Sequence, residues 1–319
     1  MINLKKPFSV LIAKLVPLLF ITLISFSLLL TGCGDGADSG GANPPGDGGK
    51  LYATASPDII IDLSTTDGTT IVDKAFNYVN DNASDGPFTL LVDANIAVTG
   101  YRQEDYNVTT DNRHLKTIDA NLTIIGLDKM RTISLSSSGF LFCADASDST
   151  RHSVELTIGN NITLKGRDGN HLPLVYVHDA IFTLEDNAIL TGNKSSSSTI
   201  LGGGICTHMQ AIINMEGGTI SNNSALFGGG VYIHPLATFI MNGGKISGNE
   251  ARGSGGYGGG VYVNGKFTMS GGTIYGREAG SDANTALGGV ALHVAGGGMA
   301  EYGNGDTLTS TNDTITGKK

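Results

Sequence analysis

Between about Val154 and His293, apolar and polar positions alternate in short runs, and the same runs return every 26 to 31 residues. A period of two predicts strands with one face turned inward. Their return at a fixed interval predicts a solenoid. The phrases VYVH, GGGICTH, GGGVYIH, GGGVYVN and LGGVALH read as versions of one unit. Laid in register, they put Val175, Ile205, Val231, Val261 and Val290 in one column, at spacings of 30, 26, 30 and 29 residues.

A second set, IFTL, IINM, TFIM and KFTM, keeps step with the first. It aligns Phe182, Ile213, Phe239 and Phe267, and two residues later Leu184, Met215, Met241 and Met269. After a turn, a third short strand carries Leu190, Ile220, Ile246 and Ile274. The fold class expected is all-β: a right-handed parallel β-helix with three strands per coil and seven to eight coils. A helical solenoid is disfavoured, because each glycine of the GGG runs would cost it about 1 kcal/mol.

From Leu51 to Val154 the repeat fades. DIIIDL reads as a strand. TTIVDKAFNYVND reads as an amphipathic helix with Ile71, Val72, Ala75, Phe76 and Val79 on one face and a capping-box start from Thr70 and Asp73. Laid over the first coil, this helix would seal the apolar interior. FTLLVDANIAV, ANLTIIG, MRTISL and FLFC supply irregular first coils. The C-terminal GNGDTLTSTNDTITGKK offers no apolar cap, so the last coil is expected either under a polar tail or open as an edge.

Asparagine ends the third strand at Asn193, Asn223 and Asn249, where it suits an amide ladder between coils. The loops that follow vary in length and polarity, and one corner would display them all as a ridge.

Residues 1–32 carry Lys5 and Lys6, an apolar run broken only by Lys14, and small residues before Cys33. This is the layout of a secretory signal. The alternative, a transmembrane anchor, has the length but no basic stop sequence after it. The ending LTGC resembles the lipobox of bacterial lipoproteins. That resemblance implies lipid on Cys33, cleavage before it, and a chain tethered to a membrane. Residues 33–52 are rich in Gly, Asp and Pro and serve as a flexible tether. The organisation expected is therefore 1–32 signal, 33–52 tether, 53–153 cap and irregular coils, and 154–319 repeats with a C-terminal tail.

Without residues 1–32 the chain keeps 17 of its 20 basic residues against 29 acidic ones, a formal charge of 17 minus 29, or −12. Nucleic acid is excluded as a partner on that balance. Acidic polysaccharides are disfavoured unless a cation bridges. Cys143 and Cys206 lie too far apart in the repeat for adjacent coils, so two free thiols are expected. No cofactor is expected.

The alternation of GGGVY with ISNNSA and ISGNEA resembles the repeats of the polymorphic outer membrane proteins, with their GGA(I/L/V) and FxxN signatures. It is also similar to short GG-rich lipoproteins of spirochaetes that carry a pectate-lyase-like β-helix. The likeness covers residues 154–300, and isoleucine stands here for the phenylalanine of FxxN. It implies a cell-envelope protein used in adhesion or surface display; a lipid anchor at the outer membrane, on its surface or periplasmic face, is expected, with Gly34 after Cys33 consistent with either membrane. Enzymatic relatives exist in the wider superfamily.

Three residues after each inward column residue stand His178, His208, His234, Asn264 and His293, facing outward beside Tyr176, Cys206, Tyr232, Tyr262 and Ala291. The plainest reading is a strand end that tolerates any polar residue and was copied with the repeat. The sharper readings are a strip for a glycan or host-matrix ligand, and, more weakly, a metal site from His178, His208 and His234. Two imidazolium ions ~4.8 Å apart repel by about 1 kcal/mol in water and about 3.5 kcal/mol at an effective dielectric of 20. The stack is therefore expected to resist full protonation.

An enzyme needs carboxylates, and the pair on offer is Asp186 or Glu185 in one turn with Glu216 in the next, one rung apart. The same column continues as Asn242 and Ser270, as a turn position would. The sequence thus favours a non-catalytic binding and display protein over a carbohydrate-active enzyme, with a structural envelope spacer third.

Overall fold

The computed structural model describes residues 49–53, 56–61, 70–101, 113–146, 153–195 and 200–318. The expected signal, the lipobox-like LTGC with Cys33, and nearly all of the expected tether lie outside them. Among the described residues no helix is long and apolar enough to cross a membrane.

The chain winds into a parallel β-helix with three principal faces. The first face stacks His114–Leu115, Phe142–Asp145, Val175–His178, Ile205–His208, Val231–Ile233, Val261–Val263 and Leu292–Val294. The second face holds the IFTL-type strands and the third the short strands around Leu190 and Ile220. Six coils are complete on all three faces, with a partial coil at each end, against the seven to eight expected.

The predicted columns on the second and third faces hold. Phe182 pairs with Ile213, Ile213 with Phe239 and Phe239 with Phe267. Leu190, Ile220, Ile246 and Ile274 follow in the same way. All of them are fully buried in one continuous core that the irregular first coils share. Four middle coils add a short fourth strand, Asp168–Asn170, Lys194–Ser195, Ser224–Ala225 and Glu250–Ala251, where three strands per coil were expected.

The amide ladder runs at the corner before that fourth strand, and it is longer than the sequence suggested. Asn170, Asn193, Asn223, Asn249 and Asn284 are all buried. The side-chain oxygens of Asn223, Asn249 and Asn284 accept from the backbone N–H of Asn193, Asn223 and Asn249 at 3.1, 3.1 and 2.9 Å. Their amide groups donate to main-chain carbonyls such as Leu190 (3.2 Å), Ile220 (2.9 Å) and Ile246 (2.9 Å). Each of these five bends thus buries an asparagine with hydrogen-bond partners in a neighbouring coil.

One expected column is corrected. Leu292, not Val290, pairs with Val261, which sets His293 opposite Tyr262. The glycines decide this. Gly202, Gly228, Gly258 and Gly289 each adopt a positive φ (64°, 64°, 68° and 59°) at the turn into the first face. Only the first glycine of each cluster needs that conformation. In the last coil Gly289 takes its place, and Val290 and Ala291 stand where Gly259 and Gly260 stand one coil earlier, as the ladder bonds from Gly260 to Val290 (2.9 Å) and Val261 to Ala291 (3.0 Å) require.

The predicted helix forms as Ile71–Asp81 with a complete capping box between Thr70 and Asp73. Its five predicted apolar residues are buried, and it packs on the strands that open the solenoid, Gly49–Ala53, Phe88–Val92 and His114–Leu115. At the other end the polar tail caps the coil through antiparallel pairing on all three faces. Thr307 pairs with Glu301, Thr311 with Leu292, and Ile315–Thr316 with Thr273–Ile274. Leu308 and Ile315 close the core there, so an apolar cap exists that the sequence did not announce.

Candidate ligand-binding face

Burial alternates along Val175–His178, with Val175 and Val177 inside and Tyr176 and His178 turned outward; Cys143, Cys206 and Tyr232, in register with Tyr176, are themselves buried. Two outward columns result. One runs Cys143, Tyr176, Cys206, Tyr232, Tyr262, His293; the other begins at Asp145 and continues through His178 and His208. His234 extends the second column, its ring 4.6 Å from that of His208.

The imidazoles of His178 and His208 stack with centroids 4.8 Å apart and an 18° interplanar angle. His234 is tilted by 47° on His208. The buried Thr207 fixes the strand end that carries His234: its hydroxyl accepts from the His234 N–H (2.8 Å) and donates to the Tyr232 carbonyl (3.1 Å). Tyr232 and Tyr262 stack at 5.6 Å and 15°, and His293 stacks on Tyr262 at 5.0 Å and 23°. The predicted four-histidine column is therefore three histidines, and the fourth ends the tyrosine column.

Several residues that sequence reasoning passed over complete the face. Phe140 packs on Tyr176 (5.3 Å), Phe227 on Tyr262 (4.9 Å) and Tyr257 on His293 (4.7 Å). Asp145 lies beneath the histidines with its Oδ1 3.1 Å from His178 Nδ1, and His114 Nε2 lies 3.6 Å from Asp145 Oδ2. The signal for Asp145 was present, since FCAD is a VYVH phrase with Asp in the fourth place, but no glycine cluster precedes it.

Rings stacked along the coil axis turn their edges to solvent and their faces to one another. The face therefore offers imidazoles in three successive coils and tyrosines in three coils, interrupted by Cys206, rather than flat platforms. Burial, then His178, then His234 hold the His208 imidazole below its ordinary range, while Asp179 and Asp145 pull the other way. Burial also lowers His293. Tyr262 is raised by burial and then by Tyr232.

The metal reading of His178, His208 and His234 is not supported. Ring nitrogens lie in the ring planes, so stacked imidazoles direct their lone pairs side by side and do not converge on one ion. Among the described residues, no group of three or more His, Cys, Asp or Glu has metal-holding geometry. Cys143 and Cys206 are free and buried, in one outward column with Tyr176 between them. Burial pushes the Cys206 thiol up to about 12.

The carboxylates sit elsewhere, at the corner between the second and third faces. Leu184 pairs with Met215, so Glu185, rather than Asp186, is the rung neighbour of Glu216. Asp186 and Glu216 are exposed, and Glu216 accepts from Asn242 Nδ2 at 3.1 and 3.2 Å. Glu185 is held above the ordinary carboxylate range by burial, then by Asp186 and Glu216.

Comparison of the chain with protein-family models, with curated proteins and with solved structures finds no match.

Proposed function

We propose that the protein is a lipid-anchored β-helix of the cell envelope, at the outer membrane, which binds a glycan or host-matrix ligand without cleaving it. The observation that carries this reading is the run of outward rings on one face, Tyr176 with His178, His208 and His234 and, beyond Cys206, Tyr232, Tyr262 and His293. A core needs no such strip, because these side chains point away from it. Aromatic and imidazole edges supply large, stiff contact area together with hydrogen-bonding atoms, as ligand sites require. The GG-rich repeats, similar to those of spirochaete lipoproteins and polymorphic outer membrane proteins, and the LTGC sequence at Cys33 support placement in the envelope. Labelling with a palmitate analogue tests the anchor: the label is expected on the chain and lost in Cys33→Ser.

Binding is tested by presenting the chain from Cys33 onward to glycan and matrix arrays, read for bound protein and for cleaved product. Retention without cleavage, weakened by alanine at His178, His208 and His234, is expected. A second reading, a carbohydrate-active enzyme, draws on Glu185, whose raised carboxyl beside Glu216 suits a general acid. Cleavage that survives the histidine changes and dies with Glu185→Gln or Glu216→Gln would replace the first reading by the second.

A further inference from the structure

We propose that His178, His208 and His234 form a proton-operated ladder in which charging of His234 releases the turn that follows it. The groups around the ladder are distributed unevenly. From the coil below, Asp145 Oδ1 lies 3.1 Å from His178 Nδ1, with His114 Nε2 3.6 Å from the other carboxylate oxygen and the Cys143 thiol beside it. From the adjoining turn, Asp179 Oδ2 lies 3.5 Å from the same His178 nitrogen, while its Oδ1 accepts from the Gln210 N–H at 2.9 Å. Both close carboxylates thus serve His178.

His208 has an imidazole on each side, at 4.8 and 4.6 Å, and its Nδ1, like that of His178, is buried without a hydrogen bond. A charge there faces like charge from whichever neighbour is already protonated. His234 is tied differently. Its Nδ1 accepts the Leu236 N–H at 3.3 Å across the turn His234–Pro235–Leu236. An accepting nitrogen has no proton, so charging the ring converts an acceptor into a donor facing a donor. The turn then loses the hydrogen bond between its side chain and its backbone, and Leu236 is already 60% exposed. The next coil places a neutral Asn264 in this register, whose N–H is held by the Ile233 carbonyl at 3.0 Å.

The ladder therefore couples acidity to the shape of the outward strip whether or not a ligand is present. The test is a pH titration by NMR of the full chain, 15N-labelled at histidine and leucine, with ring signals assigned through His178→Gln, His208→Gln and His234→Gln. The expected result is separate steps for the three rings, with hydrogen exchange of the Leu236 amide accelerating beyond its intrinsic pH dependence only as His234 charges. His234→Gln provides the check, because it should abolish the acid release of Leu236. Three rings titrating together, or a Leu236 amide whose protection ignores the state of His234, would overturn the proposal.

Discussion

Asp73 binds Arg113 through one carboxylate oxygen and caps its own helix through the other. Its Oδ2 accepts from the Thr70 N–H (2.8 Å) and the Thr70 hydroxyl (2.7 Å), and its Oδ1 accepts from Arg113 Nη1. Arg113, at 1% exposure, also donates from Nε to the Leu141 carbonyl at 3.1 Å and from Nη2 to the Thr99 carbonyl. A single carboxylate thereby joins the capping helix to the first coils of the solenoid.

Removing one partner of that pair leaves an uncompensated buried charge. Asp73→Ala should destabilise the protein by about 3–5 kcal/mol, and the lost helix cap adds about 1 kcal/mol. The double variant Asp73→Leu with Arg113→Met should lose less than either single change, since it buries no charge. Urea denaturation followed by circular dichroism measures both, and a double variant less stable than the two singles would contradict the argument.

The asparagine ladder makes a second prediction. Asn223→Ala strips partners from the Asn193 N–H and the Leu190 carbonyl at once. Each buried group left unpaired costs about 1–3 kcal/mol. A loss of at least about 2 kcal/mol is expected, with Asn223→Asp no better, because the donors of the amide are gone. A loss comparable to that of an exposed asparagine such as Asn304 would mean that water replaces the ladder.

Glycines in this chain differ in what they do. A Cβ at Gly229 would lie 2.5 Å from the carbonyl carbon of Glu250, a backbone atom that cannot swing away, whereas one at Gly255 meets nothing within 4 Å. Gly229→Ala is therefore expected to lower the thermal midpoint sharply and Gly255→Ala to leave it almost unchanged. Equal effects in thermal unfolding would show that the coils are not packed this closely.

Acid should weaken the fold in part through His208. Its folded form holds the proton less firmly than an unfolded imidazole, whose ordinary value is about 6.5. The unfolded chain then binds more protons, so this contribution is complete above about pH 6.5 and is lost as the pH falls from there through the lower folded value. Burial gives His293 the same sign. Comparing thermal midpoints at pH 7.5 and 5.5, His208→Gln should show a smaller drop than the parent chain; an equal or larger drop would refute the assignment.

What could be read in the sequence was what every coil repeats. Phe182, Ile213, Phe239 and Phe267 recur at one place because each must fill the same slot in a continuous core. The outward setting of Tyr176 and His178 follows from the two-residue period of a strand. The helix from Ile71 was legible for a local reason: its apolar face and its Thr70–Asp73 cap lie within a few residues of each other.

Tertiary structure decided the features that depend on register across an irregular coil. His293 moved to the tyrosine column because the turn needs one glycine with positive φ, and LGGVAL supplies it at Gly289, two residues out of step with the visible GGV match. Asn284 joined the ladder across an inserted 3-10 turn, Gly280–Asp282, that hides its equivalence to Asn249. The meeting of Asp73 with Arg113 had no sequence period at all, and that of Asp145 with His178 followed the repeat only through FCAD, a phrase without the glycine cluster that marks the later coils. Those contacts join residues 33 and 40 positions apart, and only the winding of the chain brings them together.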